Sequence, residues 1–281
     1  MRRILDVVLR ALIVGAAGVA VFASSIWPNE PRGFVPFNDQ SWVRMTRSVS
    51  TNSESPVARI IERVHGLLFS QAESDGAWSY LRRSSSKDAD IIADATAPIS
   101  PPNVLRIVFT PDMRRDHEPS VHWIALPRVK EIYTAWSMKL SSNWTPSPAG
   151  GGKITFLWPP EGHGVIYSNI GGSSAPHRIN IATTWTPYGY RFWEPNVTTT
   201  SITYDRWHRI EWYVKWASAP EAADGIVRWW VDGVLNGDYQ RVQFPPCCMQ
   251  QFEFAPTRQN PPPTEQYMYV DHTYVSIKTA S

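Results

Sequence analysis

From Trp78 to the C-terminus, apolar and polar residues alternate in short runs separated by clusters of Pro, Ser and Gly. A period of two puts successive side chains on opposite faces of an extended backbone, so these runs predict β-strands. They fall at 77–82, 90–94, 104–110, 131–140, 153–158, 164–168, 178–184, 189–193, 207–216, 226–232, 234–243, 250–254 and 267–277. The links Ala97-Pro98-Ile99-Ser100-Pro101-Pro102 and Asn260-Pro261-Pro262-Pro263 cannot continue a ladder, because proline donates no N–H, and they read as loops. Asp232-Gly233 between two β-rich runs predicts a tight hairpin. Many short strands with regular turn signals predict an all-β sandwich or barrel.

One segment has a different period. Ser55 suits a helix cap and Pro56 a first helical position, and Val57, Ile60, Ile61, Val64 and Leu68 recur at helical spacing. A short amphipathic helix is expected near residues 56–69, with His65 exposed or capping. At the start of the chain, Arg2 and Arg3 precede an apolar run from Ala11 to Ala23 that closes in small residues, the pattern of a secretory signal. That run falls short of the roughly 20 residues a bilayer-spanning helix needs, so cleavage after Ala23 is expected, with an uncleaved anchor as the alternative. The division is then a signal at 1–23, one sandwich domain at 24–281, and an extracytoplasmic location: secreted, periplasmic or cell-surface.

Charge narrows the partners. Arg2, Arg3 and Arg10 against Asp6 account for the whole formal +2 of the chain, so the mature protein is neutral and nucleic acid is excluded as an expected partner. A membrane partner follows only if the N-terminal segment stays attached. The two cysteines are the neighbours Cys247 and Cys248. Adjacent Cα atoms lie at about 3.8 Å, below the usual disulfide range, so two reduced thiols are expected.

The 14 Trp residues are an unusual number for this length. Aromatics fit pleated, half-buried surfaces, and most should be core, while some would be platforms for a ligand. In the 207–216 run Arg209, Glu211, Tyr213 and Lys215 share one face and Ile210, Trp212, Val214 and Trp216 the other. By the same rule Arg228, Trp230 and Asp232 share a face opposite Val227, Trp229 and Val231. A sheet lined by Arg209, Arg228, Glu211, Tyr213, Lys215 and Trp230 suits a sugar chain. Ring faces stack on the C–H faces of pyranoses while charged groups bond hydroxyls or pair with uronic carboxylates. Trp136, Trp144, Trp158, Trp185 and Trp193 could line the same groove, though core positions suit most of them. The alternative reading of this face is a solvated outer sheet with cross-strand ion pairs.

The runs Tyr204-Asp205-Arg206-Trp207-His208-Arg209-Ile210-Glu211-Trp212, Asp224-Gly225-Ile226-Val227-Arg228-Trp229-Trp230-Val231-Asp232-Gly233 and Tyr269-Val270-Asp271-His272-Thr273-Tyr274-Val275 resemble concanavalin A-like jelly rolls: laminin-G-like modules, laminarinase-type glucanases, and alginate- or glucuronan-lyase-type enzymes. The resemblance covers about residues 100–277 and implies a two-sheet antiparallel jelly-roll sandwich with one sheet forming a concave groove. The glucanase strand with alternating catalytic carboxylates has no counterpart here; Asp88, Asp90 and Asp94 come nearest and lack the glutamates. The intact lyase strands are absent as well. The expected function is therefore polysaccharide binding, with a lyase or hydrolase as the alternative and a cell-envelope adhesion or scaffold protein as a third reading. If a lyase, Tyr213 with Arg209 or Arg228 would abstract a proton and neutralise a uronate, with His122, His163 or His177 as other bases. The resemblance also implies one structural Ca²⁺ at Asp271, with Glu30 and its neighbours Asn29 and Gly33 as partners. Asn143-Trp144-Thr145 and Asn196-Val197-Thr198 fit the glycosylation pattern.

Overall fold

The computed structural model describes residues 26–40, 47–48, 79–83, 88–148, 151–160, 164–185, 189–245 and 248–278. The expected signal, the expected helix near 56–69, His163 and Cys247 lie outside these residues, as does the side chain of Trp185. Sixteen strands are described: β1 Phe34–Gln40, β2 Arg47–Ser48, β3 Ser79–Arg83, β4 Ala89–Ala93, β5 Asn103–Phe109, β6 Ser120–Val129, β7 Glu131–Leu140, β8 Gly151–Trp158, β9 Ile166–Gly171, β10 Arg178–Trp185, β11 Gly189–Trp193, β12 Trp207–Lys215, β13 Gly225–Val231, β14 Val234–Val242, β15 Met249–Arg258 and β16 Gln266–Lys278.

They form two sheets. Sheet A runs β14-β13-β12-β7-β16-β5-β4, with β1 also paired to β16, and sheet B runs β11-β10-β9-β8-β15-β6-β3-β2. Every pairing within the two sheets is antiparallel except β2 with β3. The long β16 organises sheet A, because β5 flanks its first half from Gln266 to Val270 and β1 takes over at Thr273–Lys278. Between the sheets lies an apolar core that includes Ile210, Trp212, Val214, Val227 and Trp229 from sheet A and Ile124, Leu157, Ile166, Ile181 and Phe252 from sheet B. Trp229 spans the layers: its indole N–H donates to the Ile179 carbonyl at 3.2 Å, which satisfies a polar group no water reaches. Its ring lies over Gly237, where any Cβ would come within 2.1 Å of it.

The Asp232-Gly233 hairpin is present. Val231 pairs with Val234, and Asp232 and Gly233 both have positive φ (52° and 80°), as a two-residue turn matching strand twist requires. The strand β6 was not legible in the alternation, because Pro127 interrupts it and Arg128 takes φ 53°. The ladder absorbs this as a bulge, with Ala125 opposite Gln251 and Val129 opposite Met249. Cys248 is disulfide-bonded, which corrects the expectation of reduced thiols. It is buried at the start of β15, and the chain contains one other cysteine, its neighbour. The usual Cα separation is a tendency of bridges between distant segments and did not decide this pair.

Candidate functional site

The expected binding face exists as a face, and it is covered. Ile210, Trp212 and Val214 turn inward, leaving Arg209, Glu211 and Tyr213 on the outer side of sheet A, as the period of two predicts. Over them lies the segment leading into β1. Trp27 is 1% exposed and stacks on Tyr274 (centroids 5.8 Å apart) within an apolar cluster that also holds Tyr133, Tyr213 and Trp230. Glu211 is fully buried. Its carboxylate accepts from Tyr133 Oη at 2.6 Å and from Asn29 Nδ2 at 3.0 and 3.1 Å, and pairs with Arg209 Nε at 3.0 Å. Arg209 Nη1 also donates to the Ile26 carbonyl. Trp230, expected as an open platform, is 8% exposed. Tyr213 donates to Glu131 at 2.8 Å and burial pushes its hydroxyl pKa up, while Arg228 forks onto Asp238 at 2.9 and 3.0 Å. Lys215 stands at the strand end between Glu131 and Ile226. Arg209, Glu211, Tyr213 and Trp230 thus meet beneath the N-terminal arm, whereas Arg228 and Lys215 face neighbouring strands. The expected open face is therefore buried at Glu211, Tyr213 and Trp230, and half-buried at Arg209, Lys215 and Arg228.

The proposed calcium ligands are also engaged elsewhere. Asp271 is fully buried and accepts from the Ile99 amide at 2.7 Å, from the Ser100 amide at 3.2 Å and from the Ser100 hydroxyl. Glu30 accepts from Tyr274 at 2.7 Å, and Asn29 from the same segment holds Glu211. Asp271 thus closes a proline-rich loop onto β16.

The open aromatic surface is on sheet B. Among the described residues the exposed aromatic side chains are Trp158 (36%), Tyr190 (55%) and Phe192 (49%), and all three belong to the outer face of this sheet. Register explains why they gather. Phe192 pairs with Ala182, Ala182 with Tyr167, Tyr167 with Phe156, Phe156 with Glu253 and Glu253 with Trp123, one continuous row across six strands. At about 4.8 Å per strand the row extends about 24 Å. Tyr190 stands edge-on to Phe192 (4.8 Å), and its hydroxyl meets that of Tyr167 at 2.6 Å. Trp158 stacks on Phe156 (5.9 Å, 14°) and donates its indole N–H to Glu253.

A polar row runs beside the aromatic one: Asn180 opposite Asn169, and Asn169 opposite Lys153. Asn169 Nδ2 donates to Asn180 Oδ1 at 3.0 Å, and Asn180 Nδ2 to Glu194 at 3.3 Å, while Arg178 pairs with Glu194 at 2.7 Å. Gly151 and Gly171 make room for the two amides, since a Cβ there would lie 2.7 and 2.6 Å from their Nδ2 atoms. Lys153 is exposed and sits over the Tyr167 and Phe156 rings at 5.0 and 6.0 Å. Among the described residues it has no ion-pair partner. Burial, with the Tyr190 hydroxyl adding to it, pushes the Tyr167 pKa far up, so this phenol keeps its proton. His122 turns to the core side beside Ser120, and His177 lies at the sandwich end against Tyr204.

Sequence reasoning missed this face because β8 breaks its alternation. Ile154 and Leu157 both turn inward, three positions apart, and the pairing slips between Lys153 and Phe156. The legible signal was Phe156 and Trp158 flanking the apolar Leu157, a strand apolar on both faces. Of the five tryptophans considered for a groove, Trp136, Trp144 and Trp193 are core and Trp158 is open.

No family model matches the chain, and no curated protein matches it in sequence. Solved structures do. The alginate lyase vAL-1 from Chlorella virus aligns with a TM-score of 0.50 at 14% identity, over 67% of this chain and 92% of that one. The endo-β-1,4-glucuronan lyase from the fungus Trichoderma reesei gives 0.49 at 14% identity, over 68% and 88%. The cellulose-induced protein Cip1 gives 0.47 at 10% identity, over 69% and 87%. At such identities the likeness speaks to architecture, and together with the two antiparallel sheets it establishes that the chain has the concanavalin A-like jelly-roll sandwich fold.

Proposed function

We propose that the protein binds an extracytoplasmic, uronate-bearing polysaccharide along the outer face of sheet B. The observation that carries this reading is the clustering of Trp158, Tyr190 and Phe192 on one face beside an exposed Lys153 that has no ion-pair partner among the described residues. The exposed rings stand on β8 and β11, three strand spacings or about 14 Å apart across the sheet, which matches a chain of several sugars rather than a single one. The exposed rings take the C–H faces and Lys153 takes a carboxylate, while the buried amides of Asn169 and Asn180 hold the strands beneath them in register. The similar Chlorella virus structure is that of an alginate lyase, which is in keeping with an acidic glycan.

One observation favours a lyase as the second reading: the protonated Tyr167 hydroxyl lies in the same patch as Lys153 and two amides. β-Elimination moves the proton beside the uronate carboxylate onto the leaving oxygen as the bond to that oxygen breaks; Lys153 would neutralise the carboxylate, and the hydrogen-bonded hydroxyls of Tyr190 and Tyr167 would take that proton at one end and release one at the other.

Calorimetric titration with an alginate hexasaccharide tests both readings. Trp158→Ala is expected to weaken binding by about 1–3 kcal/mol, and Lys153→Ala to weaken it and remove its salt dependence. Unchanged affinity in both folded variants would exclude this face. Ultraviolet absorbance from an unsaturated uronate, formed by the parent and lost in Tyr167→Phe, would replace simple binding with lyase activity.

A further inference from the structure

The outer face of sheet A is not covered throughout. Beyond the reach of the N-terminal arm, a second cross-strand row is open: Trp207 on β12 pairs with Lys139 on β7, Lys139 with Tyr269 on β16, Tyr269 with Arg106 on β5, and Arg106 with Asp90 on β4. Beside it lies a pocket of about 450 Å³ lined by Asp94, Lys139, Asn143, Asp205, Tyr267 and Tyr269. We infer that this pocket is a second glycan site, on the sheet opposite the first, and that it takes neutral sugars.

Three observations support a built site. Lys139 Nζ lies 5.0 Å from the ring centroids of both Trp207 and Tyr269, which holds those rings upright on either side of it. The Trp207 indole N–H is tied to Thr96 at 3.1 Å, fixing the outer ring. Tyr267 and Tyr269, half-exposed with centroids 6.0 Å apart, offer adjacent aromatic surface on the pocket wall.

The charges decide the ligand class. Lys139 is neutralised by Asp94 at 2.5 Å, and Arg106 by a two-point contact with Asp90 at 2.8 and 2.9 Å. Among the described residues that line the pocket, the remaining charge is the exposed carboxylate of Asp205, which accepts hydrogen bonds and repels anions. Polyhydroxylated rings without acidic groups satisfy this arrangement: C–H faces against the tyrosines and hydroxyls donating to Asp205. Sheet B, with the exposed Lys153, has the opposite preference. A chain with one site on each sheet would bridge an acidic and a neutral polysaccharide, and linked sites gain avidity through effective concentration.

The test is titration of the full chain with cellohexaose and, separately, with the alginate hexasaccharide. Tyr269→Ala is expected to lower cellohexaose affinity by about tenfold or more and to leave alginate affinity unchanged, with Trp158→Ala showing the reverse pattern. Tyr267→Ala, at the adjacent ring, provides a second variant if Tyr269→Ala fails to fold. The inference is overturned if the parent does not bind cellohexaose, if a folded Tyr variant binds it as the parent does, or if alginate displaces it competitively. Failure of the alginate arm alone would count against the sheet B site and leave this one standing.

Discussion

Trp158 and Trp230 show how little residue type says about role. Both are tryptophans on the outer faces of strands, with a carboxylate near by, yet one is 36% exposed and the other 8%. Trp230 packs in the cluster that Trp27 closes, so Trp230→Ala is expected to destabilise the fold by about 3–5 kcal/mol and leave alginate binding by the remaining folded protein unchanged. Denaturant midpoints alongside titration separate the two effects, and an unaltered midpoint would show Trp230 to be a surface residue. Glu211 makes the same point with charge. Its three classes of partner, a phenol, an amide and a guanidinium, complete a buried network, and such networks hold elements in register instead of meeting substrate.

The N-terminal arm is the element that redirects the molecule. It contributes Trp27 to stack on Tyr274, Asn29 to hold Glu211, Glu30 to accept from Tyr274 and β1 to complete sheet A beside β16. Trp27→Ala should cost about 3–5 kcal/mol, comparable to loss of a sheet residue, because it opens a cavity over a charged network. Amide hydrogen exchange in β12 and β16 should rise with it. If exchange rises only in residues 26–40, the arm is an appendage and not part of the sandwich. The β13–β14 hairpin is the contrasting case: Asp232 and Gly233 specify it locally, and Asp232 is further fixed by accepting from the Arg209 amide and from His208, each at 2.8 Å.

At the scale of the whole molecule, stability should depend on pH through His177. It is 1% exposed, where β10 begins, and bonds Tyr204 at 2.9 Å. Burial lowers its pKa, against a smaller opposing effect of the Gly171 and Gly172 backbone. A base whose folded pKa is depressed stabilises the fold fully above its unfolded value of about 6.5, and that stability is lost as pH falls below it. The unfolded chain then takes a proton that the folded one resists. One such group changes stability by at most about 1.4 kcal/mol per pH unit. Denaturant midpoints measured from pH 7.5 down to 5.5 should fall in the parent and fall less in His177→Gln; parallel profiles would remove His177 as the cause.

The sequence by itself determined most of the strands, the hairpin and the two-sided character of regular strands such as β12 and β13, because a period of two and an Asp-Gly turn are local properties of the chain. From these the all-β sandwich followed, and with it the inward turn of Trp212 and Trp229. Alternation cannot say what lies above an outward face. Only the tertiary structure decided that residues 26–40 fold back over Arg209, Glu211, Tyr213 and Trp230, about 180 residues away in sequence for the Asn29–Glu211 contact, and that nothing among the described residues does so over Trp158, Tyr190 and Phe192. Those three reach one surface through the pairing of β8 with β9, β9 with β10 and β10 with β11, a register set by long-range packing of the core and not by the residues that form the site.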